Sequence, residues 1–125
     1  MTNPDWSPLR AALRACRAAG TMPRLWWRDD DAVAPTHALD QLTALSETDG
    51  LPVHLAIIPA DATDALARYS DAAPLIPVVH GWAHADHSAP DDKKNEFLTP
   101  RADAAADATR GLARLRTLFG DSLRP

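Results

Sequence analysis

The chain has 125 residues, of which 46% are hydrophobic and 24% are charged, and its formal net charge at pH 7 is -4. These values are typical of one soluble globular domain spanning residues 1–125. The acidic balance offers no basic surface for nucleic acid, and no apolar run approaches the roughly 20 residues of a membrane span. Residues 1–8 lack the features of a signal peptide, and Cys16 has no second cysteine to pair with. We therefore expect a cytoplasmic protein without disulfides and without nucleic-acid or membrane partners.

The first half of the chain alternates helical and strand-like segments. We expect a helix over residues 7–19, followed by a short apolar strand over residues 25–28. A second helix is expected between Thr36 as its N-cap and Gly50 as its stop. A second strand follows over residues 53–58.

The second half continues the alternation. A short helix is expected over residues 61–69 and a third strand over residues 75–79. Because proline lacks an N–H for the sheet, we expect this strand to begin at Pro77 or Val78. Residues 88–100 are polar and irregular, and the longest helix is expected over residues 101–119. A helix followed by three βα units predicts an α/β fold with parallel strands and helices outside the sheet.

Two polar motifs about fifty residues apart follow the first and third expected strands. One is Trp-Trp-Arg-Asp-Asp-Asp over residues 26–31, and the other is His-Gly-Trp-Ala-His over residues 80–84. Because sites in parallel α/β folds form at the carboxyl ends of strands, both motifs are expected at one edge of the sheet. A carboxylate and two imidazoles form a ligand set for a catalytic divalent metal. The alternatives are a solvated acidic loop and two surface histidines.

At these motifs the chain resembles the polysaccharide deacetylase (NodB-homology) family of carbohydrate esterases. That family carries a Thr-Phe-Asp-Asp-Gly motif after its first strand and a His-(Ser/Thr)-x-x-His motif. The resemblance implies that Asp30 is the catalytic base and that Asp31, His80 and His84 bind a divalent metal, with Zn²⁺ as the first candidate. A register in which Asp29 is the base and Asp30 the ligand stays open.

The resemblance also implies a fold and a reaction. The fold would be a partial, distorted (β/α) barrel, and the reaction a metal-dependent removal of acetyl groups from N- or O-acetylated sugars. The chain departs from the family pattern at Ala32 and Gly81, where the family has Gly and Ser or Thr. Because the family's later motifs, including the histidine that acts as general acid, find no counterpart, we expect a truncated, N-terminal half of the family domain.

The sequence also suggests surfaces for a substrate and for a partner. Trp27 and Trp82 flank the expected ligands and are candidates for walls of a sugar-binding cleft. Lys93, Lys94 and Glu96 are expected in a solvated turn. Because three βα units cannot close a barrel, a second copy or a complementing C-terminal half is an expected partner. The competing hypothesis is a catalytically silent relative that binds a metal, a sugar or a partner.

Overall fold

The computed structural model describes residues 2–124 and contains one three-stranded sheet, in which all strands are parallel. The strands lie in the order β1 (Arg28–Ala32), β2 (Val53–Ile57) and β3 (Leu75–Val79). The α-helices within the described residues are α1 (Ser7–Ala18), α2 (His37–Asp49), α3 (Asp64–Asp71) and α4 (Ala104–Phe119). The expected α/β class, with parallel strands separated by helices, is therefore confirmed.

The ends of α2 follow the capping signals in the sequence. The Thr36 hydroxyl accepts a hydrogen bond of 3.1 Å from the backbone N–H of Leu39. Gly50 ends the helix in the left-handed conformation, with a φ of 63°, which glycine adopts without steric cost. Local chemistry thus sets both ends of the helix that follows β1.

The hydrophobic core is centred on β2. Leu55 and Ile57 are fully buried, as are Leu66 of α3 and Leu115 of α4. By contrast, α1 buries none of its residues, and its Leu13 side chain is 40% exposed. Among residues 2–124, no helix has the length and apolar character needed to cross a membrane.

The first strand lies further along the chain than expected. It covers Arg28–Ala32 and therefore includes all three aspartates, whereas Leu25 and Trp26 precede it and are exposed. Backbone pairing begins at the carbonyl of Trp27, which accepts from the N–H of His54 at 2.8 Å. The prediction of residues 25–28 was wrong because β1 is an edge strand, where charged side chains reach water and do not disfavour pairing.

The third strand covers Leu75–Val79, the full range of the expected apolar run, and includes Pro77 within the strand instead of beginning at Pro77 or Val78. The N–H of His80 donates to Ile57 at 2.9 Å, so even-numbered residues of this segment direct their amides towards β2. Pro77 therefore directs its nitrogen towards the outer edge, where no β2 carbonyl needs an N–H. Its carbonyl accepts from the N–H of Arg124 at 2.8 Å, and Val78 and Arg124 form an isolated parallel bridge.

Candidate metal centre

Three side chains from the two motifs meet at the carboxyl end of the sheet. An Asp31 carboxylate oxygen lies 3.0 Å from Nε2 of His80 and 3.4 Å from Nε2 of His84. The ligand atoms of all three residues lie within 4.8 Å of one another. The structure thus brings together the three residues that the resemblance assigns to the metal, although they are about fifty residues apart in the chain.

A β-bulge positions Asp31. The pairs Asp29–Leu55 and Ala32–Ile57 leave one extra residue in β1 relative to β2. Asp31 adopts the left-handed conformation within this bulge, with a φ of 64°, a region that aspartate tolerates better than most residues. Since bulges re-aim side chains at the ends of strands, this irregularity is the local cause of the contact between Asp31 and the two histidines.

A tight turn after β3 positions the two imidazoles. The backbone N–H of His80 still donates to β2, whereas Gly81 and His84 have φ values of 64° and 54°. These left-handed residues bend the chain so that the two ring centroids lie 5.3 Å apart. The His80 side chain is 26% exposed, and those of Asp31 and His84 are just over half exposed. The cluster is therefore open to water and to a ligand on one side.

The donor set fits a divalent metal. A tetrahedral Zn²⁺ with bonds near 2.1 Å has ligand atoms about 3.4 Å apart. The separations of 3.0 and 3.4 Å from Asp31 to the imidazoles are close to this value. One carboxylate and two imidazoles leave a fourth position for water or a substrate oxygen, as catalytic zinc sites require.

Arg28 connects the cluster to Asp30. Its Nη2 atom lies 2.5 Å from an Asp30 oxygen and 3.1 Å from Nδ1 of His80. Because guanidinium only donates, Nδ1 accepts here, and we assign the proton of a neutral His80 to Nε2, which faces Asp31. Coordination of a metal by Nε2 requires this proton on Nδ1, so metal binding and the Arg28–His80 hydrogen bond exclude each other.

Asp29 is the most enclosed of the three aspartates. Its burial, reinforced by the charges of Asp30 and then Asp31, raises the pKa of its carboxyl above the ordinary value. Asp30 is 54% exposed and lies in the ion pair with Arg28. All three aspartates border a cavity of about 330 Å³ between β1 and the start of α2.

The two tryptophans lie away from this cavity. Trp27 packs against the hydrophobic core and lines a separate apolar cavity of about 460 Å³ together with Trp26 and Leu51. The Trp82 ring is covered by the Arg110 guanidinium, whose central carbon lies 3.8 Å from the ring centroid. Their assignment to substrate binding stays a prediction.

Glu96 contacts the histidine turn, a role that its sequence context did not indicate. It lies in an irregular segment beside two lysines, which is typical of a solvated turn, yet its carboxylate accepts from two backbone amides of the turn. His87, in contrast, is exposed and lies outside the group of potential ligands. An isolated glutamate in a polar loop carries no periodic or spacing signal by which sequence reasoning could have found it.

Comparison of the chain with protein-family models, with curated proteins and with solved structures found no match in any of the three. The site is therefore interpreted from its own side chains.

Proposed function

We propose that this chain is a metal-dependent hydrolase domain of the polysaccharide deacetylase type, acting on N- or O-acetylated sugars. The observation that supports the proposal is the convergence of Asp31, His80 and His84, with the carboxylate 3.0 and 3.4 Å from the two imidazoles. Its three parallel βα units are then part of a distorted barrel, which a second copy or a complementing C-terminal half would extend.

Asp31, His80 and His84 would hold the divalent metal, with Zn²⁺ as the first candidate. A metal there would supply a Lewis acid for the acetyl carbonyl and a bound water of lowered pKa as the nucleophile. The chain's own task is then to accept a proton from water and to keep the acyl group in place.

Asp30 is the proposed base, and Arg28 holds one of its oxygens in the 2.5 Å ion pair. Asp29 is a second candidate, because it is the most enclosed of the three aspartates and borders the same cavity as Asp30 and Asp31. Asp29→Asn and Asp30→Asn separate the two assignments. The variant that loses hydrolysis of an acetylated chitooligosaccharide while keeping its metal identifies the base.

The competing candidate is a catalytically silent domain that binds a metal or a partner. The observation that favours it is the ion pair between Arg28 and Asp30, which engages one of the two carboxylate oxygens and leaves only the other to accept a proton. Stoichiometric metal in a chain that hydrolyses no acetylated sugar would support this alternative.

The first test is the zinc content of the purified, gel-filtered protein beside a His80→Ala/His84→Ala variant. Near-stoichiometric zinc that is lost in a still-folded double variant supports the centre. His37→Ala/His87→Ala is the matched control, because both of these histidines are exposed and lie outside the cluster. A wild-type chain that is folded but retains no zinc contradicts the proposal.

A further inference from the structure

We propose that Glu96 is a positioning residue, whose carboxylate fixes the turn that carries His80 and His84 and so sets the affinity of the centre for its metal. This inference rests on the proposed function, because it assigns a task to a side chain next to the proposed ligands. Glu96 itself coordinates nothing in this assignment.

The contact is a two-point hydrogen bond to consecutive backbone amides. One Glu96 carboxylate oxygen accepts from the N–H of Trp82 at 3.1 Å, and the other accepts from the N–H of Ala83 at 2.7 Å. Charge-assisted hydrogen bonds to a carboxylate are stronger than neutral ones. Two such bonds to neighbouring residues fix both the position and the orientation of the peptide segment between the histidines.

Gly81 provides the space that this carboxylate occupies. A Cβ atom at this position would lie 2.0 Å from a Glu96 oxygen, and the φ of 64° disfavours most other residues. A Ser or Thr here would therefore displace the carboxylate from the two amides. The space that the Glu96 carboxylate needs thus explains why Gly81 stands where the family motif has Ser or Thr.

Other contacts hold the opposite side of the turn. The carbonyl of Trp82 accepts from the N–H of Ala60 at 2.9 Å, which ties the turn to the segment after β2. Gly111 of α4 faces the carbonyl of Gly81, where an added Cβ would lie only 2.7 Å from the oxygen. The turn is therefore enclosed between the sheet, α4 and Glu96.

The Glu96 segment is itself anchored to α4. The Arg101 guanidinium lies 2.7 Å from carboxylate oxygens of both Asp103 and Asp107, and Asp107 also pairs with Arg110 at 2.8 Å. Arg110 in turn covers Trp82. Because the segment after Glu96 is held to α4 by these ion pairs, removal of the Glu96 carboxylate frees the turn rather than the whole loop.

Loss of the two hydrogen bonds between the Glu96 carboxylate and the turn should weaken metal binding without removing a ligand. Substitution of groups that orient metal ligands typically costs 10–100-fold in affinity, so we expect Glu96→Ala to raise the Kd for Zn²⁺ by about this factor. Glu96→Gln keeps one carbonyl acceptor of the same length and should recover part of the affinity. Glu47→Ala is the matched control, because Glu47 is the other glutamate of the chain and is exposed on α2.

The experiment is a competitive Zn²⁺ titration of the full chain and the three variants. It is combined with Co²⁺ absorption spectra and with hydrogen exchange of the Trp82 and Ala83 amides in metal-free protein. We expect the Kd to follow the order wild type, Glu96→Gln, Glu96→Ala, with faster exchange of both amides in Glu96→Ala and altered Co²⁺ bands. If Glu96→Ala fails to fold, Glu96→Gln decides alone.

The outcomes separate the two proposals. Equal Zn²⁺ affinity in wild type and the Glu96 variants overturns the role of Glu96 and leaves the metal centre intact. A folded wild-type chain that binds no Zn²⁺ overturns the centre and the role of Glu96 with it.

Discussion

Asp31 combines a proposed ligand atom with an unusual backbone conformation. Asp31→Asn keeps the shape of the side chain and tolerates the φ of 64°, but it removes the negative charge that faces two imidazoles. We expect the Kd for Zn²⁺ to rise at least about 10-fold while the thermal midpoint of the metal-free protein changes little. Metal titration and thermal unfolding measure the two effects. Unchanged affinity would exclude Asp31 as a ligand.

We expect the stability of the loop around Glu96 to depend on pH through Asp86. Hydrogen bonds from Ser88, and also from the N–H of Asn95 at 3.2 Å, hold the pKa of the Asp86 carboxyl below its ordinary value of 3.8. A carboxyl whose pKa is lower in the folded than in the unfolded protein stabilises the fold at pH values above its unfolded pKa. This stabilisation is lost as the pH falls through the pKa of the folded state.

We therefore expect the amides of Ser88 and Asn95 to lose protection below about pH 3.8, relative to their protection at neutral pH. At neutral pH, Asp86→Ala should expose the same two amides, because both donate to one oxygen of the Asp86 carboxylate. Hydrogen exchange measured by NMR, corrected for the intrinsic pH dependence of exchange, tests both statements. Equal protection in wild type and Asp86→Ala would show that the carboxylate does not hold the loop.

At the scale of elements, Gly111 lets α4 approach the histidine turn. On an exposed helix surface, Gly→Ala stabilises by about 1 kcal/mol. Here the added Cβ would lie 2.7 Å from the Gly81 carbonyl oxygen and 3.2 Å from a Pro59 ring carbon. We expect Gly111→Ala to destabilise the fold by about 1–3 kcal/mol, because a backbone carbonyl does not yield cheaply.

Denaturant unfolding measures this effect. Thr109→Ala, at an exposed position of the same helix, controls for helix propensity and should be neutral or slightly stabilising. A stabilised Gly111→Ala protein would show that α4 and the turn are not in close contact.

The elements differ in how far the sequence determines them. The ends of α2 follow from Thr36 and Gly50, since caps act locally. The start of β1 does not follow from local sequence, because whether Asp29 and Asp30 favour a strand depends on whether that strand lies at an edge. The inclusion of Pro77 in β3 likewise depends on which neighbour its nitrogen faces, which is a property of the assembled sheet.

At the scale of the whole molecule, parallel topology made the meeting of the two motifs predictable. Strands β1 and β3 both end at the carboxyl end of the sheet, with β2 between them, so the topology brings Asp31 and His80 near each other, and the bulge at Asp31 completes their contact. The contribution of Glu96 was not predictable, because it comes from an irregular segment whose path depends on ion pairs with α4. Long-range order therefore fixed the candidate ligands, whereas specific loop contacts fixed their orientation.

Stability should be distributed unevenly across the molecule. Leu115 is fully buried in the core, whereas Leu13 of α1 is 40% exposed and α1 buries none of its residues. We expect Leu115→Ala to lower the free energy of unfolding by about 2–5 kcal/mol and Leu13→Ala by less than about 0.5 kcal/mol. The same substitution on two helices makes the comparison direct by denaturant unfolding. A large effect of Leu13→Ala would mean that α1 is packed in solution.

The position of Pro77 has a consequence for aggregation. A strand from another molecule that approached the outer edge of β3 would meet no amide at Pro77, and the Pro77 carbonyl already accepts from the N–H of Arg124, so a continuous intermolecular ladder would be interrupted at its centre. The opposite edge, β1, carries the negative charges of Asp29, Asp30 and Asp31, which repel a second copy of the same strand. The two edges of this small sheet thus resist cross-β assembly by different means, one by a missing donor and the other by charge.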